Sequence, residues 1–323
     1  MLLEYIMRKV RYLSDAMRSG PGGDQGAKAE VDDALSAKLQ QDLDGLKAMM
    51  GESGDLIVHP FRFGQDGAAS GAILFIDGMV NNLLITEAIL NPVVSYRTEG
   101  ELPPVGDKLM DALAEAVLYA GGTNSGKSLS DVASGCLSGD IAMLLDGCTT
   151  ALIVSAIGWE RRGVTEPQSE SVVRGPREGF TENLRTNTAM IRRKIRTPQL
   201  RVSQMIVGRK TRTNVCLMYL EGVADPEVVQ TIRYRIGNLN VDSILESGYI
   251  EEYIEDAPFS PFATINYSEK PDVVAARILE GRVAILVDGT PFVLTAPMLF
   301  IESFQTAEDY YTRPLYASLT RIL

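Results

Sequence analysis

The 323-residue chain predicts an α/β (α+β) protein of two lobes, each a mixed sheet with packed helices and a helix-plus-hairpin unit. Three observations carry this reading. Apolar stripes at helical spacing alternate with short apolar runs along the chain. Asp-Gly pairs end two of those runs, at Asp146-Gly147 and Asp288-Gly289, and suit hairpin turns of type I′. Residues 133–147, shifted by 142, fall on 275–289 with seven identities in fifteen positions. At roughly 150 residues per domain the length also favours two units.

The elements follow in order. The first twelve residues read as a small amphipathic helix, and residues 19–29, rich in Gly, read as a flexible linker. Leu35, Leu39, Leu43 and Leu46 fall on one face of a helix. Ala72–Ile76 is an apolar run, and Asn81-Asn82 can cap a helix that Asn91-Pro92 stops. Asp107 can cap another, with Leu109, Leu113, Val117 and Leu118 along one side. Ser130–Leu137 is helical and ends at Gly139. Ile141–Leu145 and Cys148–Val154 form a hairpin around Asp146-Gly147. A polar stretch follows, and Asn183–Ile195 reads as a helix. Val202–Val207 and Thr213–Leu220 are strands around a Gly208–Thr211 turn. Asp225-Pro226 starts a helix, with Pro at its first position. Ala263–Tyr267 is a strand, Pro271-Asp272 opens a helix that Gly281 ends, and Val283–Val287 with Phe292–Leu294 is the last hairpin. The expected divisions are 1–29 (helix and linker), 30–157 (first subdomain), 158–197 (basic connector and helix), 198–300 (second subdomain) and 301–323 (C-terminal segment).

Composition excludes several classes of chemistry. The 31 basic and 42 acidic residues give a net charge of −11, which disfavours a nucleic-acid binder. One histidine, His59, removes sites that need two imidazoles. It lies in the apolar stretch Ile57–Phe61 and reads as a half-buried structural residue. The three cysteines, Cys136, Cys148 and Cys216, share no metal-binding spacing and read as reduced core residues. No window approaches the roughly 18 apolar residues of a membrane span. No pair of carboxylates stands out as an acid–base couple, so no enzyme mechanism can be assembled from these residues, and no cofactor or metal is expected.

Three features remain. Gly121–Ser128 fits the phosphate-cradling pattern GxxxxGK[ST], with Lys127 and Ser128 at its end. That pattern needs a strand before it and a helix after it, whereas a helix-patterned segment precedes it here. Gly135 and Gly139 also weaken the helix that should hold the phosphates. A P-loop nucleotide-binding module is therefore the alternative reading. Second, residues 159–212 hold 13 Lys/Arg and 5 Asp/Glu, a local +8 that leaves −19 for the remainder. Residues 242–256 carry acids with no base, so the basic block answers an acidic surface of the chain, a subunit, or anionic lipid. Third, Arg174 and Arg177 bracket Gly-Pro and can hold a carboxylate or lock a connector.

Gly158-Trp-Glu-Arg-Arg, Val173-Arg-Gly-Pro-Arg-Glu-Gly-Phe-Thr-Glu182, Arg185-Thr-Asn187, Ile191-Arg-Arg193 and Gly281–Phe292 together resemble the GerA-type spore germinant receptor A subunits. The resemblance covers residues 35 to 323. It implies a non-catalytic signalling domain, the N-terminal part of a subunit whose membrane-spanning region lies outside this chain. It further implies B and C subunits as partners, other A subunits as neighbours, and nutrients as triggers of ion release. Residence would be in the spore inner membrane, with this domain on the cytoplasmic (core) side. Should the domain take a small-molecule germinant in a cleft between its lobes, Arg174, Arg177, Asp288, Gly289 and Pro291 are the candidate contacts.

Overall fold

The computed structural model describes residues 33–64, 67, 69–95, 106–117, 122–156, 158, 176–256 and 263–299. The expected N-terminal helix and linker, Arg174 and the 301–323 segment lie outside these residues. The elements below belong to one compact unit, Ala34–Leu323.

The first lobe opens with α1 (Leu39–Met50), then β1 (Leu56–Phe63) and β2 (Ala69–Ile76). A helical run follows: α2 (Asn82–Leu84), a π-helical stretch (Ile85–Leu90) and α3 (Asn91–Ser95). Next come α4 (Asp107–Val117), β3 (Thr123–Gly126), α5 (Leu129–Ser138), β4 (Asp140–Leu145) and β5 (Ala151–Ser155). The second lobe runs α6 (Leu184–Lys194), β6 (Leu200–Val207), β7 (Thr213–Leu220), α7 (Pro226–Gly237), α8 (Ser247–Ile254), β8 (Asn266–Ser268), α9 (Pro271–Leu279), β9 (Val283–Val287) and β10 (Val293–Ala296).

The sheets are five-stranded, in the orders β1-β2-β4-β5-β3 and β6-β7-β9-β10-β8. Counted from the start of each lobe, these are one order. The registers agree as well. Leu56 pairs with Ile76 and Leu200 with Leu220, both 144 residues on. Ile141 pairs with Val154 and Val283 with Ala296, both 142 residues on. The short sequence match between 133–147 and 275–289 is thus the trace of a repeat that spans each lobe.

Every strand pair is antiparallel, which corrects the expectation of mixed sheets. The reason is connectivity. Parallel neighbours need a helical crossover between adjacent strands. Here the strand that follows the first helical insertion in each lobe, β3 or β8, goes to the far edge instead.

Each sheet carries helices on both faces. In the first lobe Leu46, Val132 and Cys136 of α1 and α5 meet Leu74 and Leu144. On the other face Ile89, Leu109 and Leu113 meet Ile73, Met143 and Val154. The second lobe packs α6 and α9 on one face, α7 and α8 on the other. Central strands are therefore buried on both sides and read in sequence as unbroken apolar runs rather than alternations. The cysteines are buried and free. Burial pushes the thiols of Cys136 to about 12 and Cys148 to about 11, so neither is a nucleophile.

Local differences from the sequence reading have physical causes. His59 is exposed, not half-buried, because it lies on edge strand β1 beside Pro60. Asn81 caps its helix through Leu83 N, at 2.9 Å, but Pro92 does not stop the run. The π-helical stretch before it has already shifted the hydrogen-bond ladder, with Asn91 N reaching Thr86 O, so the missing proline amide breaks no regular turn. Leu35 lies ahead of α1 in an extended segment. Asp107 turns its carboxylate to Thr149 and Thr150 rather than to a helix end, and the Thr150 hydroxyl bond lowers its pKa first among several such bonds. The loops 146–150 and 288–292 are longer than two-residue type I′ turns.

Those loops have a structural task. Asp146 Oδ1 accepts from Leu39 N at 3.0 Å, and Gly147 N donates to Ala37 O. Asp288 Oδ1 accepts from Leu184 N at 3.2 Å, and Gly289 N donates to Glu182 O. Each Asp-Gly pair thus holds the first helix of its lobe from 104 to 107 residues away. Both glycines have φ of 84° to 93°, where a side chain is strained. The match continues inside the entry segment: Ser36 N donates to Asp42 and Thr181 N to Asn187, each at 2.8 Å. Replacing Asp146 or Asp288 by Ala is expected to cost about 1 kcal/mol each, the value of a helix N-cap. Urea unfolding of both variants checks this, with equal losses expected.

Candidate functional site

The lobes meet along α6. One face of this helix belongs to the second core through Leu184, Met190 and Ile191, while Ala189 packs into the first lobe's core. At its buried side Arg192 is fully shielded from water. Arg192 Nε donates to Asp55 Oδ2 at 2.6 Å and Nη2 to Asp55 Oδ1 at 3.0 Å, a two-pronged ion pair between the lobes. Nη2 also reaches Ser53 Oγ at 2.8 Å, and Ser53 in turn donates to Asp55 Oδ1. Backbone bonds extend the seam, with Gly54 N to Val202 O at 2.9 Å and Val202 N to Ser53 Oγ at 3.2 Å. Arg201 Nη1 reaches Met49 O, near the C-terminus of α1.

Beside this seam lies a cleft of about 400 Å³. Its first-lobe wall is the turn after β2, with Asp77, Gly78, Asn81 and Asn82. Its second-lobe wall is α6, with Asn183, Arg185, Thr186 and Arg193. Two glycines permit the approach. Gly78 has φ +79°, and a Cβ there would sit 2.8 Å from Arg185 O. A Cβ on Gly158 would sit 2.2 Å from the Asn81 Cβ, so the chain leaving the first lobe crosses this wall only without a side chain. Arg185 pairs with Asp77 at 3.3 Å and remains mostly exposed. Arg193 pairs with Glu178 at 2.5 Å, and Lys194 joins the same carboxylate at 3.5 Å. The cleft thus offers two guanidinium groups, one carboxylate, the side-chain amides of Asn81, Asn82 and Asn183, and the Thr186 hydroxyl. That set can hold a small polar molecule bearing a carboxylate or hydroxyls.

Of the residues marked from sequence, Arg177, Asp288, Gly289 and Pro291 do not line this cleft. Arg177 is exposed on the segment that runs beside the β8–α9 junction, where Phe180 N donates to Glu269 O and Lys270 Nζ to Pro176 O. This segment meets the Asp288–Pro291 turn through the Glu182 and Leu184 bonds described above. The structure therefore brings Arg177's segment and that turn together, as the support of α6 rather than as a wall of the cleft. α6 itself, which sequence placed in the connector, packs as the first helix of the second lobe.

Lys127 and Ser128 also have an assigned task. Thr123–Gly126 is an edge strand, and Ser128 caps α5, so a strand–helix order does exist there. Yet the amides of Lys127 and Ser128 both donate to Asp131 Oδ2, at 3.0 and 3.2 Å. A carboxylate fills the place a phosphate would take. Gly135 does not break α5; it lets the helix lie close to Ile153, 2.9 Å from where a Cβ would be. No group of His, Cys, Asp and Glu among the described residues could hold a metal ion.

Asp55 and Arg192 escaped the sequence reading. From sequence Arg192 is one charge among the 13 Lys/Arg of the basic block. The available signal was its spacing: Arg192 lies eight residues after Leu184 and three before Ile195, on the face of α6 that those two buried apolar residues mark.

A duplicated, two-lobed domain of this kind has a solved counterpart. The crystal structure of the N-terminal domain of the A subunit of the Bacillus megaterium spore germinant receptor GerK3 is similar, with a TM-score of 0.67 and 37% identity, covering 83% of this chain and 97% of that one. The chain belongs to the Bacillus/Clostridium GerA spore germination protein family, which it matches over residues 44–323. Among curated relatives from Bacillus subtilis, spore germination protein KA is 40% identical over 90% of this chain and 52% of its own length. The uncharacterized membrane protein YfkQ is 40% identical, with 90% and 55% covered, and spore germination protein B1 is 34% identical, with 90% and 58% covered. The chain thus spans a little over half the length of these relatives. No helix among the described residues is long and apolar enough to cross a membrane.

Two outcomes follow from this geometry. Asp55→Ala or Arg192→Ala is expected to cost about 3–5 kcal/mol, because each leaves an unpaired buried charge. The paired change Asp55→Leu with Arg192→Met is expected to lose less than either, as read by denaturant unfolding. Asp131→Ala is expected to lower the melting temperature by removing the capping box of α5, whereas Lys127→Ala leaves it unchanged.

Proposed function

We propose that this chain is the signalling domain of a spore germinant receptor A subunit, relaying nutrient detection through the junction of its two lobes. The observation that carries the reading is the polar cleft beside a buried, single-geometry ion pair. A ligand seated between Asp77 and Asn81 on one side and Arg185 and Arg193 on the other touches both lobes. It therefore favours one arrangement of the seam over any other, which is what a relay requires. The ligand class is a small-molecule germinant with a carboxylate or hydroxyl groups. Arg177 and the Asp288–Pro291 turn act in this proposal by holding α6, the helix that lines the cleft, and Arg174 belongs to the same segment.

The family supports the rest of the proposal. The domain would work with B and C subunits, and with other A subunits, at the spore inner membrane, to which the remainder of the subunit anchors it. It would face the core side and perform no catalysis. Its basic block serves subunit or lipid contacts.

Thermal melting of this chain with amino acids, sugars, MgATP and buffer alone tests the ligand. One nutrient at 100 times its Kd should add about 2.7 kcal/mol, and Arg185→Ala should remove that gain. A shift with MgATP alone, or with no nutrient at all, contradicts a germinant site in this domain.

A further inference from the structure

The second lobe carries opposite charges on its two faces. On one face, residues 242–256, which contain α8, hold six carboxylates and no base. On the other, residues 176–196, which contain α6, hold six bases and two acids. α8 packs on the sheet through Ile250 and Ile254, and α6 through Leu184, Met190 and Ile191. These are separate cores on opposite sides of the same five strands. A sheet and two helix layers therefore keep the charged surfaces apart within one molecule.

The fold leaves both surfaces short of counter-charge. Asp242 pairs with Arg209 and Lys210, and Asp256 with Arg235. Glu246 serves the start of α8, where Gly248 N donates to Oε2 at 2.8 Å. Glu251, Glu252 and Glu255 meet no cation among the described residues. Desolvation raises the pKa of Glu251, and the charges of Glu255 and Glu246 raise it further, as expected for crowded carboxylates. On the opposite face Arg196 is exposed, and its Nε donates to the Arg193 carbonyl at 3.1 Å. No carboxylate pairs with Arg196 among the described residues. Lys194, also exposed, shares Glu178 with Arg193.

The acidic face also exposes apolar surface. Leu245, Tyr249 and Tyr253, spaced four apart, are 64%, 44% and 53% exposed. Ser247, Ile250 and Ile254 form the buried side of the same helix. Single apolar residues on a surface need no account, but a tyrosine-rich stripe rimmed by charge has the composition of a protein interface. Its carboxylates repel nucleic acid and anionic lipid, so its complement is a cationic protein surface. The far side of the same lobe supplies one.

We propose that this stripe docks a second copy of the chain, head to tail. Tyr249, Tyr253 and the carboxylates of Glu251, Glu252 and Glu255 of one molecule meet Lys194 and Arg196 of the next. The contact is heterologous, so every molecule keeps one further face of each sign, and copies extend into a ring or a row. Charge steers the approach, and burial of the tyrosines holds it. The proposal gives faces to the contact with other A subunits proposed above and rests on that reading.

Sedimentation velocity of this chain over a concentration series at low salt tests the proposal. Self-association is expected, and it should weaken as salt rises. Glu251→Lys with Glu252→Lys, and separately Lys194→Glu with Arg196→Glu, should each weaken it by roughly tenfold or more. Tyr249→Ser with Tyr253→Ser should weaken it with no change of net charge. Mixing the two charge-reversed variants should restore association, because each then offers the other complementary faces. A melting curve for each variant separates lost association from lost folding. Association that ignores either reversal, or reversed variants that do not recover on mixing, overturns these faces and leaves a contact between A subunits elsewhere. A parent chain that stays monomeric overturns both, while the nutrient melt tests the inter-lobe cleft independently.

Discussion

A guanidinium with no access to water must be paired, or the lobe that carries it does not fold. Arg192 meets that condition only across the boundary between lobes, at Asp55. Much of the architecture follows from this. α6 has to present one face to its own sheet and another to the first lobe. The segment before β1 must lie along the edge of β6, which the Gly54 and Val202 bonds secure. Removing two charges from water is costly, so the pair is weak evidence for extra stability and good evidence for a single geometry. Apolar residues could fill the same space. They would not dictate which rotamer, register and angle the lobes adopt relative to one another.

The two lobes are copies that have diverged at this seam. Arg192 occupies the place that Lys47 holds in α1, by the same 145-residue shift that relates Leu39 to Leu184. Lys47 is exposed, as an ordinary helix-surface lysine should be. Asp55 stands where the second copy has Gln199. What the copies retain is the scaffold: one strand order, one register, and an Asp-Gly turn that fastens the first helix to the sheet. The copies differ at the junction, where Arg192 and Asp55 replace the residues their counterparts carry.

Much of the fold was legible in sequence because local rules and tertiary packing agree there. Asp225-Pro226 starts α7, with Asp225 accepting from Glu227 N. Gly139 ends α5 in the left-handed conformation. The Asp146 and Asp288 pairs mark chain reversals, although their longer loops and distant helix caps are tertiary facts that no local pattern encodes. Sheet direction was not legible, because buried antiparallel strands lose the alternation that separates them from parallel ones. The site was less legible still. Arg192 looks like any arginine in a basic block, and only its helical spacing from Leu184 and Ile195 marks it. Asp55 lies in Gly51-Glu52-Ser53-Gly54-Asp55, which reads as a turn. The Gly-rich octamer misled in the opposite sense, since Asp131, three residues past its end, takes the amides its motif offers to phosphate.

The central claim is that the Asp55–Arg192 pair joins two repeats into one cooperative unit. Native-state hydrogen exchange, read separately for amides of β2 and β4 and of β7 and β9, tests it most directly. The account predicts one shared opening free energy for both sheets in the parent chain, and two distinct values in Asp55→Ala. Separate values in the parent chain, or a single value that persists in Asp55→Ala, would contradict it.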